Sequence, residues 1–238
     1  PFMNSAFTGA NGGLVVVSAD DPSMHSSQNE QDSRYYGKFA MIPVFEPSNQ
    51  QECYDMAFHA FEISEKYRLP VLLRLTTRLS HSRSGVQTRK PLPQNPMKKP
   101  DDLFQFMLLP AIARRKYKHL IGLQPDLENE AVISPFNSLN LKAEDNSLGI
   151  VATGLAYNYL REVYGGQPIP HPVLKICQYP LPTEALRGLY DICDKLVVLE
   201  EGMPLVEETI KGMAWSGTKP IHGRLDGTIP RDGELNPN

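Results

Sequence analysis

The chain of 238 residues has only three cysteines, Cys53, Cys177 and Cys193, and no two of them form a CxxC pair. That spacing excludes a disulfide framework, a cysteine zinc site and an iron–sulfur cluster built from this sequence. Buried free thiols in a reducing, cytoplasmic setting are the expectation that remains. No apolar run approaches the ~18 residues that a membrane-crossing helix requires, and residues 1–13 have neither the charged leader nor the apolar centre of a secretory signal. No membrane association is expected. Twenty-four basic residues against 27 acidic ones leave a net charge of −3, so there is no basic field for a phosphate backbone and nucleic acid is not expected as a partner. The phosphate-cradling GxGxxG and GK[ST] strings are missing, as are a GxSxG elbow and any metal-ligand spacing. Gly9–Gly13 is rich in glycine, but it precedes a strand instead of joining a strand to a helix, and a turn needing positive φ accounts for it.

What is present begins at Leu14. Leu14–Val17 is an apolar, β-branched run of the kind that fills a strand buried on both faces. It delivers the loop SADDPSMHSSQNEQDSRYY, residues 18–36. A polar loop at the carboxyl end of an α/β strand is where open sheets bind ligands. Within it His25, Ser26, Ser27, Gln28, Asn29, Glu30, Asp32 and Arg34 offer donors, acceptors and both signs of charge. Arginine and amide donors suit a small carboxylate, and His25 has a natural pKa near working pH and can donate or shuttle a proton. The alternative is that these groups hold the loop together through Asx-turns, caps and pairs such as Glu30 with Arg34. Asp20 and Asp21 read as caps at the strand end.

From Ile42 the pattern alternates: strand 42–46, a helix over about 49–67 with Ser48 and Gln51 as a capping box, and strand 71–76. Residues 1–84 thus form an α/β layer with about three strands, too few to bury its faces, which points to further sequence upstream. Residues 85–146 read as a linker: a stretch with four prolines over 85–100, then an amphipathic helix over about 101–121 interrupted by Pro110, with Arg114, Arg115, Lys116 and Lys118 on a solvated face. Residues 147–238 read as βαβαβαβ, with strands 149–153, 173–176, 196–200 and 220–224 and helices 157–164, 183–193 and 205–215. That pattern is a three-layer domain with a mostly parallel sheet. Glu200 and Glu201 close a strand ahead of a helix start, where acids complement the helix dipole.

The loop 18–36, together with FEPSNQQECYDMAFHAFEISEKYRLPVLLRLTTRLSHS (residues 45–82), GIVATGLAYNYLREV (149–163) and LVVLEEGMPLVEETIKG (196–212), resembles the α subunits of indolepyruvate:ferredoxin oxidoreductases, in the family of thiamine-diphosphate-dependent 2-oxoacid:ferredoxin oxidoreductases. The resemblance implies an α/β chain of two three-layer domains: an incomplete pyrimidine-binding-type domain, then a transketolase C-terminal-like domain. It implies part of an enzyme that oxidatively decarboxylates an aryl pyruvate such as indolepyruvate to an acyl-CoA and passes electrons to ferredoxin. Thiamine diphosphate, Mg2+ and [4Fe-4S] clusters would belong to the parent enzyme, and none is expected on this stretch alone. The implied partners are a β subunit, ferredoxin, coenzyme A and the oxoacid, in an oligomer. Pyruvate or 2-oxoglutarate as substrate, and a non-catalytic module for subunit association, are the competing readings.

Overall fold

The computed structural model describes residues 2–96, 99–213, 215 and 217–237. Two sheets share the largest of three hydrophobic core clusters among the described residues. The first has strand order β1-β3-β2-β7, from β1 (Val15–Asp20), β3 (Val71–Thr76), β2 (Val44–Phe45) and β7 (Gln178–Tyr179). Its first three strands are parallel and β7 joins antiparallel, so the first sheet takes its last strand from far along the chain. The second sheet runs β4-β6-β5-β8-β9, from β4 (Ser138–Asn140), β6 (Val173–Ile176), β5 (Gly149–Thr153), β8 (Leu196–Leu199) and β9 (Ile221–His222). Only β4 is antiparallel there.

Helix α1 (Phe2–Thr8) precedes β1, and α2 (Arg34–Ala40) follows the polar loop. The next helix, α3 (Gln50–Tyr67), lies where periodicity puts it, but its cap is one residue further on than Ser48. Asn49 Oδ1 accepts from the Glu52 amide at 2.9 Å, while Glu52 accepts from the Ser48 amide and hydroxyl. Such a cap contributes about 1 kcal/mol. A short α4 (Thr77–His81) continues directly from β3.

Helix α5 (Pro110–Val132) begins at the proline expected to interrupt a helix over 101–121. A proline at the first helical position lacks only an N–H that has no partner there anyway. The helix then runs on through Pro125 because Leu120, Leu127 and Ala131 are buried. The remaining helices are α6 (Leu155–Val163), α7 (Thr183–Ile192) and α8 (Leu205–Lys211). The expected linker and last helix include Met97, Lys98 and Ala214, which lie outside the described residues.

Two expectations are corrected. Leu14–Val17 is not buried on both faces: β1 is an edge strand, with Val17 59% exposed, because only β3 pairs with it. Nor does the proline-rich stretch hold two parts apart. Ala40, Val44 and Leu72 share a core cluster with Leu174, Ile176, Leu186 and Val206. The stretch instead lies along α3, with Arg89 4.5 Å from the Phe58 ring and 2.8 Å from Asp55, and with the Gln87 amide donating to Gln51.

Candidate functional site at the facing sheet edges

The carboxyl ends of the two sheets meet. Arg74, in the mostly apolar β3, and Arg34, at the start of α2, fill the junction as the largest wholly buried side chains. Arg34 forms a two-pronged pair with Asp32, Nε to Oδ1 at 2.9 Å and Nη2 to Oδ2 at 2.5 Å. Its remaining donors cross to the second sheet, reaching Glu200 Oε2 at 2.9 Å and the carbonyls of Glu201 and Met203 at 2.8 Å. Arg74 donates to Asp20 Oδ2 at 2.5 Å, to Glu46 and to the Glu201 carbonyl. Tyr179, on β7, donates its hydroxyl to Glu46.

Buried charges persist only when paired and hydrogen-bonded, and nearly every group here is. Burial alone would push the Asp32 carboxyl up, but the charges of Arg34 and Arg74 outweigh it and bring it down to about 2. Glu200 spends both oxygens on the first amides of α8, from Val206 and Glu207, besides Arg34. That is the helix-terminus role its place suggested. Glu201 differs, because among the described residues no side chain donates to its buried carboxylate and the Leu235 backbone is the group that approaches it. Burial, with Glu234 and Glu46 nearby, pushes its carboxyl up to about 7 against the pull of Arg74.

The loop from β1 to α2 has a buried base and an exposed tip. At the base, Asp20 accepts from the Ser33 amide at 2.7 Å and from its hydroxyl, which ties the two ends of the loop together. Asp21 accepts from three successive amides, His25 at 3.1 Å, Ser26 at 2.8 Å and Ser27 at 2.9 Å, and from the Thr77 hydroxyl. These donors, the Ser26 amide foremost, hold its carboxyl well below the usual range despite burial. Glu30 accepts from the Ser23 amide, and Ser23 and Met24 turn the chain with positive φ. At the tip, His25, Ser26, Gln28 and Asn29 are exposed, and Ser27 is half-buried with its hydroxyl on the Asn29 carbonyl.

The eight predicted loop residues therefore separate. His25, Ser26, Ser27, Gln28 and Asn29 crowd the outer turn, Glu30 braces it, and Asp32 and Arg34 lie inside the junction. Sequence reasoning missed Arg74, Glu46, Tyr179, Arg78, Tyr159 and Glu234, which complete the surroundings. A lone arginine inside Val-Leu-Leu-Arg-Leu-Thr was the available signal for Arg74, since a buried guanidinium demands partners.

Residues 18–114 match the family described as "Pyruvate flavodoxin/ferredoxin oxidoreductase, thiamine diP-bdg". Over 99% of its length the chain is 40% identical to the indolepyruvate oxidoreductase subunit IorA of Methanothermobacter thermautotrophicus, of which it covers 39%. It thus spans about two fifths of the length of that relative. Among solved structures, a 2-oxoglutarate:ferredoxin oxidoreductase from Magnetococcus marinus, with 2-oxoglutarate, coenzyme A and succinyl-CoA bound, superposes with a TM-score of 0.66 at 12% identity, over 99% of this chain and 48% of that one. A split-gene transketolase in an inactive β4 tetramer superposes with a TM-score of 0.51 at 16% identity, over 88% of this chain and 56% of that one. Both share the α/β architecture.

The donor set here does not fit the diphosphate and metal end of thiamine diphosphate. Asp20, Asp21, Asp32, Glu46 and Glu200 are committed to arginines, amides or hydroxyls, and no group of three metal-ligating side chains occurs among the described residues. Residues 18–114 thus carry the match to that thiamine-diphosphate-binding family, and nearly the whole chain is homologous to part of the IorA subunits.

Proposed function

We propose that this chain is the stretch of an indolepyruvate:ferredoxin oxidoreductase α subunit that presents one wall of the substrate cleft. On this reading residues 1–84 are the later part of a pyrimidine-binding-type domain, 85–146 a strap with a helix, and 147–238 a transketolase C-terminal-like domain. The parent enzyme decarboxylates an aryl pyruvate to the acyl-CoA and hands electrons to ferredoxin. A β subunit completes the enzyme as an oligomer in the cytoplasm, a compartment in keeping with three free thiols. Thiamine diphosphate, Mg2+ and [4Fe-4S] clusters are held by other parts of the enzyme.

The observation that carries the reading is the alignment of nearly every residue with IorA at 40% identity. The exposed tip at the sheet edge supports placing the cleft there, with His25, Ser26, Ser27, Gln28, Asn29 and Glu30 lining it and Asp32 and Arg34 setting its position. Polar donors fixed in place before charge develops are what an oxoacid decarboxylation needs from its protein.

The α subunit containing this chain, assembled with its β subunit, is expected to reduce a viologen dye with indolepyruvate and coenzyme A. No reduction with cofactor and clusters intact would overturn the reading. Faster turnover of pyruvate or 2-oxoglutarate would move it to a sister enzyme of the same family.

A further inference from the structure

We infer that Arg78 and His25 form a carboxylate-binding pair, which Glu234 fills from within the chain and which an organic acid occupies by displacing Glu234. Arg78 Nε lies 2.7 Å from Glu234 Oε2, and His25 Nε2 lies 3.1 Å from Oε1. Each carboxylate oxygen thus has its own donor, from β3's helical extension α4 on one side and from the loop tip on the other. The Glu234 side chain is only 8% exposed, whereas those of Arg78 and His25 are about half exposed, at 48% and 50%. The pair is therefore open to solvent on the side that Glu234 does not cover.

The segment bringing Glu234 there is irregular. Residues 223–235 contain no strand or helix. Within that segment the Arg224 guanidinium donates to the carbonyls of Arg231 and Gly233 at 3.0 Å, and its hold on the rest of the chain includes Arg224 on the Glu200 carbonyl and the Leu225 amide on Glu207. Behind Glu234 lies a cavity of about 320 Å3, walled by Tyr159, Leu160, Leu199, Ile229 and Leu235. That size is at the lower end of small-molecule sites, which are largely apolar with a few convergent polar groups.

Tyr159 joins the cavity to the pair. Its side chain lines the cavity with the hydroxyl buried, and the neighbouring group that reaches that hydroxyl is the Arg78 guanidinium. Burial keeps that hydroxyl protonated, so it is available as a donor. Its ring lies 5.7 Å from the Arg78 guanidinium. A ligand with a carboxylate at one end, an acceptor oxygen nearby and an apolar body matches these three features, and a 2-oxoacid with an aromatic side chain is such a molecule. The choice of that acid class rests on the function proposed above, but the carboxylate pair itself does not.

The test titrates the chain with phenylpyruvate, indolepyruvate and phenylacetate by calorimetry, with the His25 ring resonances followed by NMR. Glu234→Gln is expected to tighten all three acids by roughly tenfold, the scale of one charge-assisted hydrogen bond regained. Adding Arg78→Gln to that variant should remove the gain. Unchanged affinity in Glu234→Gln, or a gain that survives Arg78→Gln, would overturn the inference. Should Glu234→Gln not fold, the unaltered chain decides: His25 ring shifts that saturate with phenylacetate support the pair, and none up to the solubility limit contradicts it. Equal binding of phenylacetate and the oxoacids supports the pair while withdrawing support from an oxoacid substrate. Unchanged KM for indolepyruvate on Arg78→Gln in an active enzyme would overturn the assignment of the oxoacid to this pair and leave the enzyme reading standing.

Discussion

Asp20, Asp32 and Arg34 lie sealed between two sheets, while His25, Ser26, Gln28 and Asn29, in the same loop, stand in solvent. Both groups are polar and both sit at a strand's carboxyl end. What separates them is where their partners are: Arg34 finds Glu200 across 166 residues, whereas the amides of Ser26 and Ser27 find Asp21 within the loop. The base is fixed by the second sheet and fixes the first. The tip is held by Asp21 and Glu30 from within the loop and by Glu234 at His25, and its other side chains face solvent. A polar loop can thus be half scaffold and half binding surface, with the division set by the fold.

The base gives the largest expected effect. Arg74→Leu leaves Asp20 and Glu46 as buried acids without their cation, and a loss of about 3–5 kcal/mol in urea unfolding is expected. A loss under about 1 kcal/mol would mean that the junction is wet and the base and tip do not differ.

The next effect separates Glu201 from its saturated neighbours. Its carboxyl is raised to about 7 in the folded protein from an ordinary 4.5. Its protonated form therefore supports folding below pH 4.5, and that support drains away as pH rises to about 7. Glu201→Gln should match the unaltered chain at pH 5 and exceed it at pH 8 by on the order of 2–3 kcal/mol. Asp32 has the opposite sign, since its support is present above pH 3.8 and lost as pH falls through about 2. Equal curves for Glu201→Gln and the unaltered chain at both pH values would show Glu201 to be solvated.

At the tip, Asp21→Asn should speed amide exchange at Ser26 and Ser27 with little change in the unfolding midpoint, because the base remains intact. Val17→Thr on the open edge should stay within about 0.5 kcal/mol, while Leu73→Ala, one strand inward, should cost about 2–5 kcal/mol. A large cost at Val17 would mean that the edge is covered in solution.

Much of the fold was legible from local pattern. Helix α3 and strand β3 stand within a residue or so of their expected places because periodicity and end signals are local properties. The openness of β1 was not, since an apolar run such as Leu14–Val17 reads alike at a sheet's centre and at its edge. Pro110 misled for a related reason: the same residue starts a helix or breaks one according to what packs behind it. Of the site, the loop could be read and its division could not. The partners that bury Arg34, namely Glu200, Glu201 and Met203, lie on the turn between β8 and α8, at least 166 residues away, and no local pattern announces that approach.

The most direct test of the division is His25→Ala in the assembled enzyme, read as turnover and KM for indolepyruvate beside the thermal midpoint of the variant. The account predicts a loss of roughly tenfold to a hundredfold in kcat/KM, the scale of one hydrogen bond to a charged group, with the midpoint unmoved. Unchanged kcat and KM, with the midpoint either held or lowered, would contradict it.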